Sequence, residues 1–349
     1  MLYTQEIGSI KKPRYLIDKF KMFIDGKISY DELKPYIESA SLDTIRMLEA
    51  TGLDIVYDGE MHRWEMYHHP ITFIEGIEIA GYVRVWDNFY FLKGRVIDKP
   101  HLRKNYHLDE TLFIIEKARK RVKIPVTGPY TLADWTFNEY YRRRDLDDPV
   151  KADYEAKYEF TMDLAKNIIN PILRELSKLD IYRIQIDEPA ATTHPSEMDI
   201  VVDAFNQSIE GVEKQVSIHI CYSDYSLLIP YLDKFKTVQF TLEFANRDSW
   251  RLGVEDDART GYKFLKELID YGYEGELGLG VIDVHTDRIE PPELIRDRIL
   301  YALKYIPPEK LFINPDCGLR TRSRELAYIK LRNMVEAVKS VNSLMGYTP

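Results

Sequence analysis

From about residue 120 onward, short runs rich in β-branched and aliphatic residues alternate with longer amphipathic stretches, and Gly, Pro or Asp closes each pair. This is the rhythm of βα units wound around a parallel sheet. It predicts strands over 123–127, 181–186, 216–221, 237–244, 276–282 and 311–314, and two earlier runs, 2–7 and 54–57, bring the count to eight. Ile295, Ile299, Ala302 and Ile306 recur at helical spacing until Pro307-Pro308 forbids continuation, and Ala327, Leu331, Met334 and Val338 form a similar stripe. Leu265, Leu268 and Ile269 mark a shorter helix with Gly272 as its C-cap. No Ser/Gly linker, low-complexity tract or repeat interrupts this order. The 349 residues therefore read as one α/β domain over 1–349, a single (β/α)8 TIM barrel. One segment, about 78–103, departs from the rhythm. Aromatic and β-branched residues alternate there around Asp87-Asn88, which predicts a β-hairpin inserted after the second strand, near the barrel mouth.

Three predicted strands separate apolar from polar residues by strict alternation. Ile184 and Ile186 alternate with Gln185 and Asp187; Val216, Ile218 and Ile220 with Ser217, His219 and Cys221; Val238, Phe240 and Leu242 with Gln239, Thr241 and Glu243. Successive side chains on a strand point to opposite faces. If the apolar faces pack on the helix ring, the polar ones point into the barrel, and Asp187, Cys221 and Glu243 stand at carboxyl ends, where barrel enzymes keep their active sites. His219 and Cys221 share a face one strand repeat apart, within reach of a common metal ion. Glu243 at the next strand end and Cys317 just past the last strand complete an imidazole, two thiolates and a carboxylate. That donor set favours one Zn2+ over magnesium or calcium. Its ligand charge exceeds that of the ion, so the site suits a soft nucleophile better than water activation, and alkyl transfer to sulfur is the chemistry to expect.

Charge and composition narrow the class further. A formal net charge of -9 argues against a dedicated nucleic-acid binder. The basic runs 117–123 and 142–144 read as solvated helical faces. No run of about eighteen apolar residues predicts a membrane span, and the N-terminus lacks signal-peptide character, so a cytoplasmic protein is expected. With only two cysteines, Cys221 and Cys317, a disulfide framework is excluded.

Around these residues the sequence resembles the C-terminal catalytic zinc barrel of the cobalamin-independent methionine synthase family, in a stand-alone single-barrel form. The match runs through Ile7-Gly8-Ser9, Asp58-Gly59-Glu60, Thr127-Gly128-Pro129, Trp135-Thr136-Phe137, Ile184-Gln185-Ile186-Asp187-Glu188-Pro189-Ala190, His219-Ile220-Cys221-Tyr222, Gly280-Val281-Ile282-Asp283-Val284-His285 and Asn314-Pro315-Asp316-Cys317-Gly318-Leu319-Arg320-Thr321-Arg322. The resemblance implies zinc bound by His219, Cys221, Glu243 and Cys317. It implies homocysteine held by the backbone of Ile7, Gly8 and Ser9 and by Glu60 and Asp187, two carboxylates that suit an ammonium group. It makes His285 the acid that protonates the departing methyl carrier, an apt task for imidazole near neutrality. Arg95 and Trp135 fall where the family binds a methyl-pterin. Plainer readings stand beside these: a loop carboxylate at Glu60, a structural partner at Asp187, an orienting role at His285 and ordinary aromatic packing at Trp135. His68-His69 lack partners at metal spacing and read as surface or insertion residues.

The sequence departs from the family on the donor side. A second, N-terminal barrel that grips polyglutamylated folate has no counterpart in these residues. Where the family has a pterin-contacting Glu, the run is Ala191-Thr192-Thr193-His194. The expected donor is therefore methylcobalamin, a methylated corrinoid on a separate protein, or a methyl-pterin. Two rivals remain: the same chemistry on another thiol such as coenzyme M, whose sulfonate calls for basic residues rather than Glu60 and Asp187, and a non-catalytic binding subunit stapled by zinc.

Overall fold

The computed structural model describes residues 1–84 and 90–347. Its strands are β1 (Tyr3–Thr4), β2 (Ile55–Val56), β3 (Ile74–Arg84), β4 (Tyr90–Leu102), β5 (Arg121–Thr127), β6 (Phe137–Asn138), β7 (Arg183–Asp187), β8 (Val216–Ile220), β9 (Gln239–Leu242), β10 (Glu276–Gly280) and β11 (Leu311–Asn314). Eight form one sheet in the order β1-β11-β10-β9-β8-β7-β5-β2. All of its pairings are parallel, and a bridge between Gln5 and Ile55 joins the two edges. The (β/α)8 barrel read from the sequence is the observed fold. Helix Arg324–Leu344 buries its expected apolar stripe, while helix Phe264–Tyr271 buries Leu265 and Leu268 but leaves Ile269 exposed, and Gly272 ends it with φ 92°. The helix expected to reach Ile306 stops at Ala302, and Ile306 is buried in the turn that follows. No helix among the described residues is long and apolar enough to cross a membrane.

The strands are shorter than the hydrophobic runs that predicted them. The run 237–244 contributes only Gln239–Leu242 to the ladder, because Glu243 and Phe244 have already turned into the rim. Inside the barrel most of the polar groups bond one another, although Gln5 Oε1 has no partner among the described residues. Gln5 Nε2 donates to Gln239 Oε1 at 3.1 Å and to Asn314 Oδ1 at 3.2 Å, and Thr241 donates to Gln239 Oε1 at 3.1 Å. Lys123 Nζ donates to the Glu6 carbonyl and to Gln185 Oε1, each at 2.6 Å. The expectation of a solvated helical face at 117–123 therefore fails: only Lys117 belongs to a helix, and Lys123 is buried in β5. Residues 142–144 likewise lie outside any helix, in the turn before helix Pro149–Leu164. In both runs, charge density was a poor guide to backbone state.

The inserted segment is longer than 78–103 suggested. β3 and β4 pair antiparallel from Ile74–Leu102 to Arg84–Tyr90, and β4 adds β6 as a third strand. The Asp87-Asn88 turn lies outside the described residues. This sheet is seated on Tyr67, whose hydroxyl accepts from Gly94 N at 2.8 Å and meets Thr136 Oγ1 at 2.9 Å. His68 and His69 are not surface residues. They are buried in a short helix, with His69 edge-on to Trp64 at 4.1 Å and near Tyr106 at 5.8 Å between ring centroids.

Below this layer the turn after β2 is fixed by a buried ion pair. Arg63 donates to Glu110 through Nε (3.1 Å) and Nη2 (2.7 Å) and to the Pro125 carbonyl at 2.6 Å, while the Tyr57 hydroxyl also bonds Glu110. Both charged side chains are 2% exposed or less, so neither can fall back on water when its partner is removed. Glu110→Ala is expected to destabilise the protein by about 3–5 kcal/mol, measured by urea unfolding. A loss below about 1 kcal/mol would show that the pair is not the anchor described.

Candidate metal centre and active site

β8 places His219 and Ile220 at its carboxyl end, with Cys221 one residue beyond, and Asn314 at the end of β11 leads through Pro315 and Asp316 to Cys317. The ligand atoms of His219, Cys221 and Cys317 all lie within 4.8 Å of one another. His219 Nδ1 bonds the Thr241 carbonyl at 3.0 Å, which puts the proton on Nδ1 and leaves Nε2 with a free lone pair; that buried Nε2 has no hydrogen-bond partner among the described residues. The Cys317 thiol is held well below its ordinary range, first by a hydrogen bond from Cys221, which is itself pushed up. A thiol, a neighbouring thiolate and an unpaired imidazole nitrogen together match the soft donors that zinc takes.

Glu243, the fourth expected ligand, stands outside that compact triad. Its Oε1 accepts from Tyr222 N at 2.7 Å and Asn246 Nδ2 at 3.2 Å, while its Oε2 is buried without a partner, 4.0 Å from His285 Nε2. This carboxylate oxygen and His219 Nε2 are each buried donor atoms left without a partner among the described residues, as atoms that bind a cation would be. The loop bearing Glu243 is tied to the loop bearing Cys317 by Asp316, whose carboxylate accepts from Phe244 N (2.9 Å), Ala245 N (3.0 Å) and Asn246 N (2.7 Å). Burial nonetheless raises the Asp316 pKa to about 7.

His285 is held by its loop and by one side chain. Its N–H donates to Asp283 Oδ1 at 2.8 Å, and the loop is clamped by Lys330 Nζ, which donates to the Asp283 carbonyl at 3.0 Å and to Glu290 Oε2 at 2.7 Å. Nδ1 of His285 meets the Tyr222 hydroxyl at 2.9 Å. Tyr222 has φ 55°, a left-handed conformation that costs a tyrosine about 1 kcal/mol or more. The turn delivers two bonds, backbone to Glu243 and side chain to His285. The nearby Glu243 carboxylate, with Asp283 assisting, raises the His285 pKa against its partial burial.

On the opposite side of the mouth, Gly59 (φ 73°) and Glu60 (φ 64°) make the turn that presents Glu60, with Asp58 Oδ1 accepting from Glu60 N at 2.9 Å. A Cβ on Gly59 would lie 2.8 Å from Ile10 Cβ, so only glycine fits there. Glu60 Oε1 lies against the backbone of Gly8, 3.4 Å from where a Cβ would stand, and Gly318 packs on Ser9 so closely that a Cβ would lie 2.3 Å from its hydroxyl. The Ile7-Gly8-Ser9 segment therefore runs between Glu60 and the residue after Cys317. Asp187 accepts from Gln185 Nε2 at 2.7 Å, and the same amide donates to the Ile7 carbonyl at 3.0 Å. Burial lifts the Asp187 pKa to about 7.

The donor-side residues sit apart from this group. Arg95 is on β4, half exposed and paired across the strands with Glu78. Trp135 caps helix Pro129–Asp134 and packs on Tyr67 and Phe91 at 6.1 and 6.2 Å between ring centroids. Sequence reasoning missed Glu6, a buried carboxyl whose Oε1 lacks a partner, and the bracing role of Asp316. The signals available were an acidic residue just before Ile7-Gly8-Ser9 and one just before Cys317.

Fold and site together define a (β/α)8 barrel with a His–Cys–Cys cluster at its mouth. The family model "Cobalamin-independent synthase, Catalytic domain" matches residues 2–340, and the chain belongs to that family, which makes it a methyltransferase. It is 46% identical to a methionine synthase of Thermoplasma volcanium, over 97% of this chain and 98% of that protein, and 43% identical to one of Pyrococcus furiosus, over 98% and 93%. Its fold matches that of a B12-independent methionine synthase from Shewanella sp. W3-18-1 in complex with selenomethionine, with a TM-score of 0.81, 22% identity and 99% of each chain covered.

Two outcomes test this geometry. Asp316→Ala frees three backbone N–H groups beside the cluster, and is expected to weaken zinc binding by about 10- to 100-fold in a chelator competition. Unchanged zinc affinity would remove Asp316 from the site. Glu6 has its pKa raised from 4.5 to about 8, chiefly by burial. A raised carboxyl contributes stability that is complete below the unfolded value and lost as pH climbs through the folded one. Glu6→Gln should accordingly gain on the wild type as pH rises from 5 to 8.5, in Tm measured across that range; a constant difference would mean Glu6 ionises freely.

Proposed function

We propose that this chain, acting as one catalytic barrel over 1–349, transfers a methyl group to the thiol of homocysteine to give methionine, with one zinc ion held by His219, Cys221, Cys317 and Glu243. The observation that carries the reading is the pair of unpartnered buried atoms, His219 Nε2 and Glu243 Oε2, at one rim with two cysteines. Zinc in that set would supply a thiol that is deprotonated yet still nucleophilic. The names of its relatives, methionine synthases of Thermoplasma volcanium and Pyrococcus furiosus, support methionine as the product.

The chain's own residues supply binding and proton handling. Glu60 and Asp187 accept from the substrate ammonium, and the backbone of Ile7, Gly8 and Ser9 faces its carboxylate. A Tyr222 hydroxyl that donates to His285 Nδ1 keeps the His285 proton on Nε2, directed toward Glu243 and the reacting sulfur. His285 then passes that proton to a carrier whose leaving atom is a basic nitrogen. A carrier that leaves as a weak base needs no such proton.

The donor is a methylcorrinoid or a methyl-pterin. Arg95 and Trp135 stay in this reading as groups beside a pterin ring, and Thr193, where the family's Glu is missing, supports the corrinoid. A protein working on homocysteine in this way is expected in the cytoplasm. The test is methionine formation by zinc-loaded protein from homocysteine with methylcobalamin or methyl-tetrahydrofolate. Cys317→Ala is expected to lose stoichiometric zinc and all methionine formation while keeping its fold by circular dichroism. Full activity in that variant, or methylation of coenzyme M in preference to homocysteine, would overturn the reading.

A further inference from the structure

Away from the metal centre, two adjoining cavities of about 560 and 500 Å³ lie where the inserted sheet meets the outer helices, and Arg142 and Arg144 line both. Ala133, Ala156 and Phe160 give the first an apolar lining. The segment that carries the arginines is pinned to helix Pro149–Leu164. Asn138 Nδ2 donates to the Ala156 carbonyl at 2.9 Å, and Asn138 Oδ1 accepts from Tyr141 N at 3.2 Å. The Tyr141 hydroxyl donates to Asp163 at 2.6 Å, and its ring stacks on Phe160 at 5.3 Å between centroids. Arg142 follows directly, so its position is set by the turn. Most of the charge around the first cavity is already paired. Lys157 Nζ lies 2.5 Å from both Asp134 and Glu197, and Arg143 binds Asp145 through Nε (2.8 Å) and Nη2 (2.7 Å). Arg142 donates to the Asn138 carbonyl at 3.5 Å, a long and weak bond. Among the described residues neither Arg142 nor Arg144 enters an ion pair. Of the carboxylates left over, Asp153 lines the first cavity alone and Glu139 the second alone, whereas the two arginines stand where the cavities meet.

Two unpaired guanidiniums beside an apolar wall suit an oxyanion carried on a partly apolar stem. The place in the fold says what carries it. β6 pairs with β4 at Arg95–Phe137, and the lining residues Asp134 and Thr136 flank Trp135, so the first cavity adjoins the donor side. We propose that this cavity binds an oxyanionic tail, carboxylate or phosphate, of the methyl donor, with Arg142 and Arg144 as the groups that take it. The inference rests on the methyl-transfer reading and deepens it. The tail is held on the flank of the barrel, remote from the reacting atoms, so the contact tightens donor binding without lowering the barrier to methyl transfer.

The experiment uses the full zinc-loaded chain, homocysteine and two pairs of donors that differ in the tail. Methyl-tetrahydrofolate, with its glutamate carboxylates, is set against methyl-tetrahydropteroate, and methylcobalamin, with its phosphodiester, against methylcobinamide. The effect is read within whichever pair the wild type turns over, which also tells a carboxylate source from a phosphate one. The double variant Arg142→Ala/Arg144→Ala should raise the KM of the tailed donor by about tenfold or more and leave that of its tailless partner within about twofold. The rise in Tm that the tailed donor induces should shrink in step, while kcat and the homocysteine KM stay as in the wild type. Arg142→Lys/Arg144→Lys should recover part of the loss, since charge is kept and the planar fork is not. An unchanged KM for the tailed donor, equal weakening of both members of a pair, or a loss confined to kcat would overturn the inference and leave the methyl-transfer reading standing. The ligand-free Tm controls for folding, and Arg144→Glu gives a second variant should the double one be unstable. A wild type that forms methionine from none of the four donors would refute the methyl-transfer reading itself, and the inference with it.

Discussion

The closed parallel barrel with a polar interior is the constraint on which everything else rests. Eight strands run the same way, so all of their carboxyl ends share one rim. The side chains enclosed below that rim are Gln5, Lys123, Gln185, Gln239, Thr241 and Asn314 rather than the branched aliphatics that usually fill such barrels. Each must find a partner inside because water cannot reach it. The network they form couples strands across the barrel. Gln185, for example, links Lys123 on β5 to Asp187 at its own strand end and to the Ile7 carbonyl after β1. The interior thus fixes the register of the rim residues above it.

The rim itself is organised by carboxylates whose partners are backbone N–H groups. Asp316 binds three amides of the neighbouring loop, and Asp58 binds two in its own turn. Glu188 binds Tyr130 N, Thr131 N and the Thr131 hydroxyl at the start of helix Pro129–Asp134. Several motifs shared with the family are explained by this bracing rather than by contact with substrate. A carboxylate that accepts two or three N–H bonds holds a loop without a regular ladder, and a metal site needs that stiffness in loops. Positive φ at Glu60 and Tyr222 is the residual strain, and it falls at the two turns that aim side chains into the mouth.

Alternation along the strands and the order of strand and helix patterns settled the fold class and put His219 and Cys221 on one side, where the structure brings their ligand atoms together. Both are local properties: a period of two assigns faces without any knowledge of the rest of the molecule. The pairing of Cys317 with that face was legible for the same reason, since it follows the last strand. The sequence could not give the positions of Glu6, Lys123, His68 and His69. Each carries a polar group that composition assigns to the surface, and Glu6, Lys123 and His69 are buried against residues far away in the chain. Likewise, nothing local distinguishes an acidic residue that braces a loop, as Asp316 does, from one that faces solvent. Only closure of the barrel decided which polar groups had to satisfy one another, because that choice depends on contacts between strands and loops distant in sequence.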